Sequence, residues 1–367
     1  MVVVDDGKIT VWCLLGRKAG DNTQVLALAR ELGFDFVEKH ILAQPWELAA
    51  HLGLRITLAG IDRANSSALQ APWPDLVISA GRRNEPVARW IKQQSGGSTR
   101  LVHIGRPWAP LSSWDLVVTT PQYFLPEQAN ILHNTLPLHR MPQRVLASAA
   151  ERLLPQLVDL PRPWIVLLMG GDSGRFVMTT EKGRRLGVLA NDLAVAAGGS
   201  LLVTDSPRTP TAAGDALQEQ LKGPHFCHRW DDEGDNPYLG LLAVADAFVV
   251  TGESMSMLGE AAAMSRPLFI FDVGDDGDAP WWLLPHSYRY KSLSHRFAMR
   301  FGPQRMRRDI GNIQSAMIET GIATMLEPAT VAAPAAGLAD AGEEPAMAPG
   351  KDLERAVQAV RQLVLVH

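Results

Sequence analysis

One short segment of the sequence combines a glycine-flanked turn with side chains that could handle a proton and an anion. The stretch LLGRKAGDNTQ, residues 14–24, follows an apolar run and leads into a segment of helical periodicity. Its polar side chains are Arg17, Lys18, Asp21, Asn22 and Gln24. A carboxylate in this place could act as a general base, and the cations could bind an anionic substrate.

Asp21 has a second interpretation, as the N-cap of the helix that follows. Gln24 stands three residues later, as in a relaxed form of the capping box. A cap explains Asp21 alone and leaves Arg17, Lys18 and Asn22 without a role. The two interpretations differ chemically, because a carboxylate that already accepts backbone N–H bonds has a lowered pKa and is a poorer base.

Two arginines and an amide follow another apolar run. In SAGRRNEPVARW, residues 79–90, Arg82, Arg83 and Asn84 stand between a strand end and a helix start. Two guanidinium groups beside a helix start could clamp an anion. The alternative is a solvent-exposed basic turn.

Two strand ends in the second half carry glycines, hydroxyls and arginines, which are groups that bind phosphate. In LLMGGDSGRF, residues 167–176, the glycines allow backbone N–H groups to approach a phosphate, although glycines also make ordinary turns. TDSPRTP, residues 204–210, is a second polar strand end. The candidate phosphate-binding residues of these two turns are Gly171, Ser173, Gly174, Arg175, Ser206 and Arg208.

The most informative segment is ADAFVVTGESMSMLGEAAAMSRPLFIF, residues 245–271. A strand leads into a helix whose first turn offers hydroxyls and N–H groups to a phosphate. Glu260 follows Glu253 by two helical turns and could accept hydrogen bonds from the two hydroxyls of a ribose. The alternative is a capped helix with Glu260 on a solvated face. The candidate ligands here are Thr251, Glu253, Ser254, Ser256 and Glu260.

Short apolar runs alternate with helix-period segments along the chain, which predicts an α/β protein with parallel sheets. The predicted strands are 9–15, 34–42, 75–81, 99–105, 115–120, 163–171, 200–206, 225–230, 247–252 and 266–273. They form two Rossmann-like domains, 1–150 and 151–326, followed by an Ala/Pro-rich flexible linker at 327–350 and a final helix at 351–367. Ligands of such sheets bind beyond the C-terminal strand ends, and two facing domains would place those ends along one interdomain cleft.

Composition excludes several classes of function. The chain has 367 residues, a formal net charge of −4 at pH 7 and two cysteines. This charge gives no global reason to expect nucleic acid, and the cysteines make neither a disulfide framework nor a zinc site. There is no signal-peptide pattern, and no stretch approaches the roughly 18 apolar residues of a spanning helix. We expect a cytoplasmic protein with no metal site.

The segment 279–309 interleaves aromatic residues with seven lysines and arginines. Such a segment could meet an anionic lipid surface, which would make the protein peripheral at the inner membrane. It could also be an amphipathic helix against the other domain with a solvated cationic face.

Several of these motifs together resemble a known family. GRKAGDNTQ, SAGRRNEPVARW, DLVVTTPQY, HNTLPLHR, GGDSGRF, NPYLGLLAVADAFVVTGESMSMLGEA and RPLFIF are similar to the bacterial homologues of the plant mitochondrial fission factor known from its elongated-mitochondria mutant. The resemblance runs from about residue 11 to 273. Members of that family often carry Asp where this chain has Glu253.

The family looks related to GT-B glycosyltransferases, which implies a nucleotide-sugar donor bound by the C-terminal domain and no cofactor beyond it. The resemblance places ribose on Glu260, and phosphates on the main chain of Ser254, Met255 and Ser256 with Ser173 and Gly174. It makes Arg175 the cation beside the leaving group and Asp21 the base. The acceptor side would hold Arg17, Lys18, Asn22, Gln24, Arg82, Arg83 and Asn84.

The implied function is transfer of a sugar to an envelope glycan or lipid, with a membrane-surface acceptor and no nucleic-acid partner. The alternative is a non-catalytic adaptor that uses a GT-B scaffold to recruit a partner to a membrane.

Overall fold

The computed structural model describes residues 9–44, 56–140, 142–173, 176–274, 301–302, 309–332 and 351–365. The chain forms two compact units, Met1–Arg140 with Gly350–His367 and Met141–Pro349. They are called unit 1 and unit 2 below.

The strands are β1 (Val11–Leu15), β2 (Phe36–His40), β3 (Leu76–Ala80), β4 (Arg100–Ile104), β5 (Leu116–Thr119), β6 (Ile131–His133), β7 (Trp164–Leu168), β8 (Ser200–Thr204), β9 (His225–His228), β10 (Ala247–Thr251), β11 (Leu268–Phe271) and β12 (Thr324–Met325). The helices are α1 (Ala19–Leu32), α2 (Glu85–Gln94), α3 (Gln143–Leu153), α4 (Thr180–Ala196), α5 (Thr211–Gln218), α6 (Tyr238–Val244), α7 (Met255–Ala262), α8 (Gly311–Glu319), α9 (Pro328–Ala332) and α10 (Lys351–Leu365).

Each unit is built on a six-stranded sheet in which all neighbouring strands run parallel. The central strands are apolar and fully buried, as in VWCLL of β1 and AFVVT of β10, because helices cover both faces of a parallel sheet. The predicted α/β class with two Rossmann-like domains is confirmed. Each predicted strand corresponds to an observed one. Strands β6 and β12, which are only three and two residues long, were not predicted.

The strand orders identify a switch point in each sheet. The order in unit 1 is β2-β1-β3-β4-β5-β6, so the chain leaves β1 to one side and later returns to its other side at β3. The order in unit 2 is β12-β11-β10-β7-β8-β9, which places the same reversal between β7 and β10. Ligands of open parallel sheets bind at the carboxyl ends of the strands next to such a reversal.

The C-terminal helix α10 belongs to unit 1. Its residues Leu353, Ala356, Val357 and Val360 are buried in the same core as α1. The Arg361 guanidinium donates to the Leu32 carbonyl at the end of α1, at 3.0 Å.

The unit boundary lies ten residues earlier than the sequence predicted. Helix α3 packs on α6 and therefore belongs to unit 2. The first part of the predicted linker is also ordered, because α9 packs against α4 with Val331 on the core of unit 2.

Candidate functional site

The predicted base, Asp21, does not cap α1. The helix begins at Ala19, and Lys18 at the N-cap position makes no capping bond with its side chain. The interpretation of Asp21 as the N-cap is therefore wrong, because the N-cap position is Lys18, three residues earlier. The Asp21 side chain is 33% exposed, and its Oδ2 lies 3.9 Å from Lys18 Nζ.

Asn22, not Asp21, closes the turn after β1. Its Oδ1 accepts the Gly16 N–H at 2.9 Å, and its Nδ2 donates to the Gly16 carbonyl at 2.8 Å. Gln24 also makes structural contacts, since its Oε1 accepts the Leu138 N–H and its Nε2 donates to the Gly20 carbonyl. Both amides thus shape unit 1 itself, and the Asp21 carboxylate is not used in the turn.

Asp21 lies at the switch point of unit 1, beside the end of β3. Gly81 follows β3 with φ of +72°, and a Cβ on it would stand 2.5 Å from Asp21 Oδ2. Asn84 is 3% exposed, and its Nδ2 donates to the carbonyls of Leu14 and Ala80. Asn84 therefore ties the ends of β1 and β3 together, and its amide nitrogen is already committed within the fold.

The cations predicted for the acceptor side differ in exposure. Arg17 and Lys18 are exposed, whereas Arg82 and Arg83 are half-buried. The Arg82 guanidinium lies over the Trp108 ring, 4.9 Å from its centroid.

Glu85 is a buried carboxylate that the sequence analysis missed. It is 1% exposed in the first turn of α2, and it accepts the N–H groups of Trp108 and Ala109, each at 2.8 Å. Burial raises its pKa to about 7 against the lowering effect of these two bonds. The sequence alone does not identify its role, because an acidic residue in a first helical turn is ordinarily explained by the helix dipole.

In unit 2, backbone N–H groups of the loop after β7 are hydrogen-bonded to other groups of the protein. Gly170 N donates to Thr251 Oγ1 and Gly171 N to Glu253 Oε1, each at 2.7 Å. Ser173 N donates to the Phe176 carbonyl at 2.9 Å. The amides of Gly171 and Ser173 therefore have no proton to offer a phosphate in this conformation. Gly174 and Arg175 lie outside the described residues.

The loop after β10 leads into an uncapped helix start. Ser254 is the N-cap residue of α7, and its side chain makes no capping bond. The first-turn N–H groups of Met255 and Ser256 therefore have no acceptor within the helix. The exposed position of Ser256 and the half-buried position of Met255 leave this helix end open.

Arg208 brings a positive charge to this helix start. Its Nη2 donates to Ser254 Oγ, and its Nη1 donates to the Asp172 carbonyl, each at 3.3 Å. Ser206 is buried and shapes the same loop, since its Oγ accepts the Arg208 N–H at 3.3 Å. Ser206 therefore supports the loop that carries Arg208.

Glu253 and Thr251 lie beneath these groups. Glu253 is 1% exposed, Thr251 is fully buried, and Thr251 hydrogen-bonds the Glu253 carboxyl. Burial raises the pKa of Glu253 to about 7, although the charge of Arg208 opposes the change. Both residues hold the loop after β7, and neither offers an exposed group to a ligand.

Glu260 is paired with a residue that the sequence analysis did not consider. Tyr238, in the first turn of α6, donates its hydroxyl to Glu260 Oε2. Burial raises the pKa of the Glu260 carboxyl, and burial with the nearby carboxylate raises that of Tyr238. The bond from Tyr238 orients the Glu260 side chain. Because both residues are only half-buried, Glu260 still reaches the surface of unit 2.

The part of the chain that the structure describes contains no cluster of three or more His, Cys, Asp or Glu side chains placed to hold a metal ion. Within the same residues, no helix is both long and apolar enough to cross a membrane. Apart from Phe301, Gly302 and Asp309, the basic and aromatic segment 279–309 lies outside them.

A family model described as "Mitochondrial fission ELM1" matches residues 19–281, which is more than half of the chain. The chain belongs to this family. Mitochondrial fission protein ELM1 of Arabidopsis thaliana is 26% identical over 265 residues, covering 65% of the chain and 61% of the relative. An uncharacterized protein of Rickettsia prowazekii is 21% identical over 305 residues, covering 72% of the chain and 83% of that protein. The chain thus spans about three fifths of the length of the Arabidopsis ELM1 protein.

Solved structures confirm the predicted GT-B-like fold class. UDP-GlcNAc 2-epimerase of Methanocaldococcus jannaschii is 11% identical with a TM-score of 0.51, covering 96% of this chain and 99% of the epimerase. The S. aureus MnaA-UDP co-structure is 9% identical with a TM-score of 0.50, covering 98% of each chain. At these identities the likeness concerns the fold alone.

Proposed function

We propose that this member of the ELM1 family is a glycosyltransferase that uses a nucleotide-activated sugar. The observation that carries the proposal is the contact between Arg208 and Ser254, which sets a guanidinium beside the uncapped start of α7. A helix N-terminus and an arginine together bind a diphosphate. The site lies at the switch point of unit 2, where such sheets bind ligands.

The donor side is assigned to unit 2. Arg208 and the N–H groups of Met255 and Ser256 bind the diphosphate, with the Ser173 hydroxyl as a further donor. Glu260, oriented by Tyr238, accepts hydrogen bonds from ribose hydroxyls. The roles of Gly174 and Arg175 stay predictions, because both lie outside the described residues. The fold neighbour solved with UDP supports a uridine nucleotide as the first ligand to test.

The acceptor side is assigned to unit 1, with Asp21 as the base. The acceptor hydroxyl oxygen forms a bond to the anomeric carbon of the donor sugar as the bond from that carbon to the diphosphate breaks. Asp21 takes the hydroxyl proton, and the nucleoside diphosphate leaves with the electron pair. The exposed cations Arg17 and Lys18 favour an anionic acceptor, such as an envelope glycan or lipid precursor at a membrane surface.

A thermal-shift screen against nucleotides and nucleotide sugars tests the donor assignment. A true ligand stabilises the protein increasingly with its concentration by mass action. We expect Glu260→Ala to weaken binding about tenfold or more, whereas Glu181→Ala, at an exposed carboxylate of α4 in the same unit, leaves it unchanged. No stabilisation by any nucleotide or nucleotide sugar would contradict the proposal.

The family description names mitochondrial fission, and the alternative function is that of a non-catalytic adaptor that recruits a partner to a membrane. The two functions predict different phenotypes. An adaptor keeps its cellular activity in Asp21→Ala and Glu260→Ala and loses it when Arg305, Arg307 and Arg308 are reversed in charge. A transferase loses its activity in the first two variants.

A further inference from the structure

Glu253 is a buried acidic side chain that stands directly beside the start of α7. It immediately precedes the N-cap residue Ser254 and is 1% exposed. Its Oε1 accepts the Gly171 N–H, whereas its Oε2 has no hydrogen-bond partner among the described residues. A carboxylate that is buried in this way has almost no surface to offer to a ligand. It acts on the site through the groups around it.

The charge that stabilises the ionised form of Glu253 comes from Arg208. The same guanidinium donates to Ser254 Oγ at the helix start. Arg208 is therefore shared between the buried carboxylate and, under the proposed function, the diphosphate of the donor. The other charged side chains on the surrounding elements include Asp172, Lys182, Arg185, Asp205, Glu260 and Asp272. Asp205 pairs with Arg229, Arg185 donates to the Asp272 carbonyl, and Asp272 Oδ1 accepts the Gly274 N–H.

These other charges are engaged with protein groups. Asp172 Oδ1 accepts the Met178 N–H at 2.9 Å, and Lys182 Nζ donates to the Val177 carbonyl at 3.2 Å. Glu260 accepts the Tyr238 hydroxyl. Arg208 is therefore the charge through which a bound anion would most directly affect Glu253.

The proton equilibrium of Glu253 is poised near neutrality, because burial raises its pKa to about 7. A diphosphate at Arg208 adds negative charge beside the Glu253 carboxylate. It also weakens the electrostatic stabilisation that the Arg208 guanidinium gives to that carboxylate. Both effects favour the protonated form of Glu253. Binding of the ligand and protonation of Glu253 then support each other, as linkage requires.

We propose that Glu253 takes up a proton when a nucleotide diphosphate binds at Arg208 and the first turn of α7, so that the affinity of the site falls as the pH rises. This inference rests on the proposed function. It makes Glu253 a positioning residue that couples nucleotide binding to pH, and not a ligand of the phosphate.

Isothermal titration calorimetry with UDP-N-acetylglucosamine tests this coupling between pH 6 and pH 8. If that compound does not bind, the nucleotide sugar that stabilises the protein in the screen replaces it. A nucleotide sugar is chosen because it lacks the terminal phosphate group, whose second pKa of about 6 would obscure the result. We expect the affinity of the wild-type protein to fall by up to about tenfold between pH 6 and pH 8. Titrations at pH 7 in buffers of different ionisation enthalpy should show net proton uptake.

Glu253→Gln should abolish this coupling. The amide oxygen can still accept the Gly171 N–H, but the side chain has no proton to gain. The variant should bind with the same affinity at pH 6 and pH 8 and with no proton uptake. Glu181→Gln, at an exposed carboxylate of α4, is the matched control and should keep the wild-type pH profile. If Glu253→Gln does not fold, Glu253→Asp should shift the midpoint of the pH profile.

The outcomes separate the two proposals. Wild-type affinity that does not change with pH overturns the coupling and leaves the proposed function standing. The coupling is also overturned if the wild type and Glu253→Gln take up protons equally, or if the Glu253→Asp profile has an unshifted midpoint. In both cases the proposed function still stands. Absence of binding by every nucleotide sugar overturns both.

Discussion

The carboxylate of Asp21 lies against the α-carbon of Gly81, so that a Cβ on Gly81 would stand 2.5 Å from Asp21 Oδ2. The two residues follow different strands, yet β1 and β3 are neighbours and end at the same edge of the sheet. Gly81 has φ of +72°, which side-chain-bearing residues rarely adopt. Glycine is thus required here both by backbone conformation and by the place of the proposed base.

Gly81→Ala should slow sugar transfer strongly, whereas it should lower the free energy of unfolding only moderately. The left-handed conformation costs a non-glycine residue about 1–2 kcal/mol in the free energy of unfolding. The Asp21 carboxylate is partly exposed and can move away from the new Cβ at little further cost. Its displacement from the proposed catalytic position should lower the transfer rate about tenfold or more. Chemical denaturation and a transfer assay measure the two effects.

Gly96→Ala provides the matched control. Gly96 has φ of +67°, and nothing lies within 4 Å of the place that a Cβ would take. The variant should lose about as much stability as Gly81→Ala and keep full transfer activity. Equal activity in the two variants would contradict the assignment of Asp21.

Gly170→Ala should destabilise unit 2 by about 2–3 kcal/mol, as expected when an extra carbon is forced into a packed site. The new Cβ would overlap Glu253 Oε1, which is buried and bonded to Gly171. Adding Glu253→Ala removes that obstacle. The double variant should therefore lose at least about 1 kcal/mol less than the sum of the two single losses. Urea denaturation of the four proteins in this cycle measures the coupling, and additive losses would show that the overlap is unimportant.

The strand ends that carry the candidate site could be predicted because parallel topology brings them to one edge of each sheet. The apolar runs and the glycines and hydroxyls after them are visible in the chain. The hydrogen-bond partners of those residues are not visible in this way. Gly171 and Glu253 are 82 residues apart, and nothing local shows that the Gly171 amide is already bonded.

Asp21 illustrates the same limit at short range. Asp three residues before Gln fits a capping pattern, but Asn22 makes the bonds that close the turn. Helix starts read from local sequence can be a few residues off, and here a difference of three residues changed the role of a side chain. The sequence could not predict that α10 packs on unit 1. An apolar helix face shows that a helix packs on a hydrophobic core, but it does not show which one.

Glu85 should make the stability of unit 1 depend on pH. Its pKa is about 7 in the folded protein, against an ordinary value of 4.5. A carboxyl whose pKa is higher in the folded state contributes stability that is complete below pH 4.5 and is lost as the pH rises through 7. The loss amounts to about 3 kcal/mol for this shift. Glu85→Gln should remove this component.

Denaturation of the wild type and Glu85→Gln at pH 5 and pH 8 measures the effect. The amide can accept only one of the Trp108 and Ala109 N–H bonds through its oxygen, so the variant should be less stable at pH 5. The stability difference between the two proteins should shrink by pH 8. A difference that stays constant or grows with pH would show that the carboxyl is ionised throughout.

Tyr238→Phe should weaken nucleotide-sugar binding about three- to tenfold through the orientation of Glu260. The variant keeps the ring and removes the hydroxyl that donates to Glu260 Oε2. A hydrogen bond to a charged group contributes about 1.5–3 kcal/mol, part of which is recovered by rotation of Glu260 toward solvent. Calorimetry with the donor found in the screen measures the affinity. Unchanged affinity in Tyr238→Phe together with weak binding by Glu260→Ala would mean that Glu260 needs no orienting partner.

Asp352 should anchor the C-terminal helix to unit 1. Its Oδ2 accepts the Leu136 N–H at 2.8 Å, and both residues are buried. Asp352→Ala leaves that N–H without an acceptor, which should cost about 1–3 kcal/mol in the free energy of unfolding. Asp352→Asn retains one carbonyl oxygen and should recover most of the loss.

The control for Asp352 lies two residues further along the same helix. Glu354 is an exposed acidic residue in the first turn of α10, so Glu354→Ala removes a similar interaction with the helix dipole without breaking a buried bond. Its effect should stay within about 0.5 kcal/mol. Equal losses in Asp352→Ala and Glu354→Ala would mean that α10 is held by its apolar face alone, through Leu353, Ala356 and Val360. A larger loss in Asp352→Ala would show that the helix is also fixed in register by its first turn.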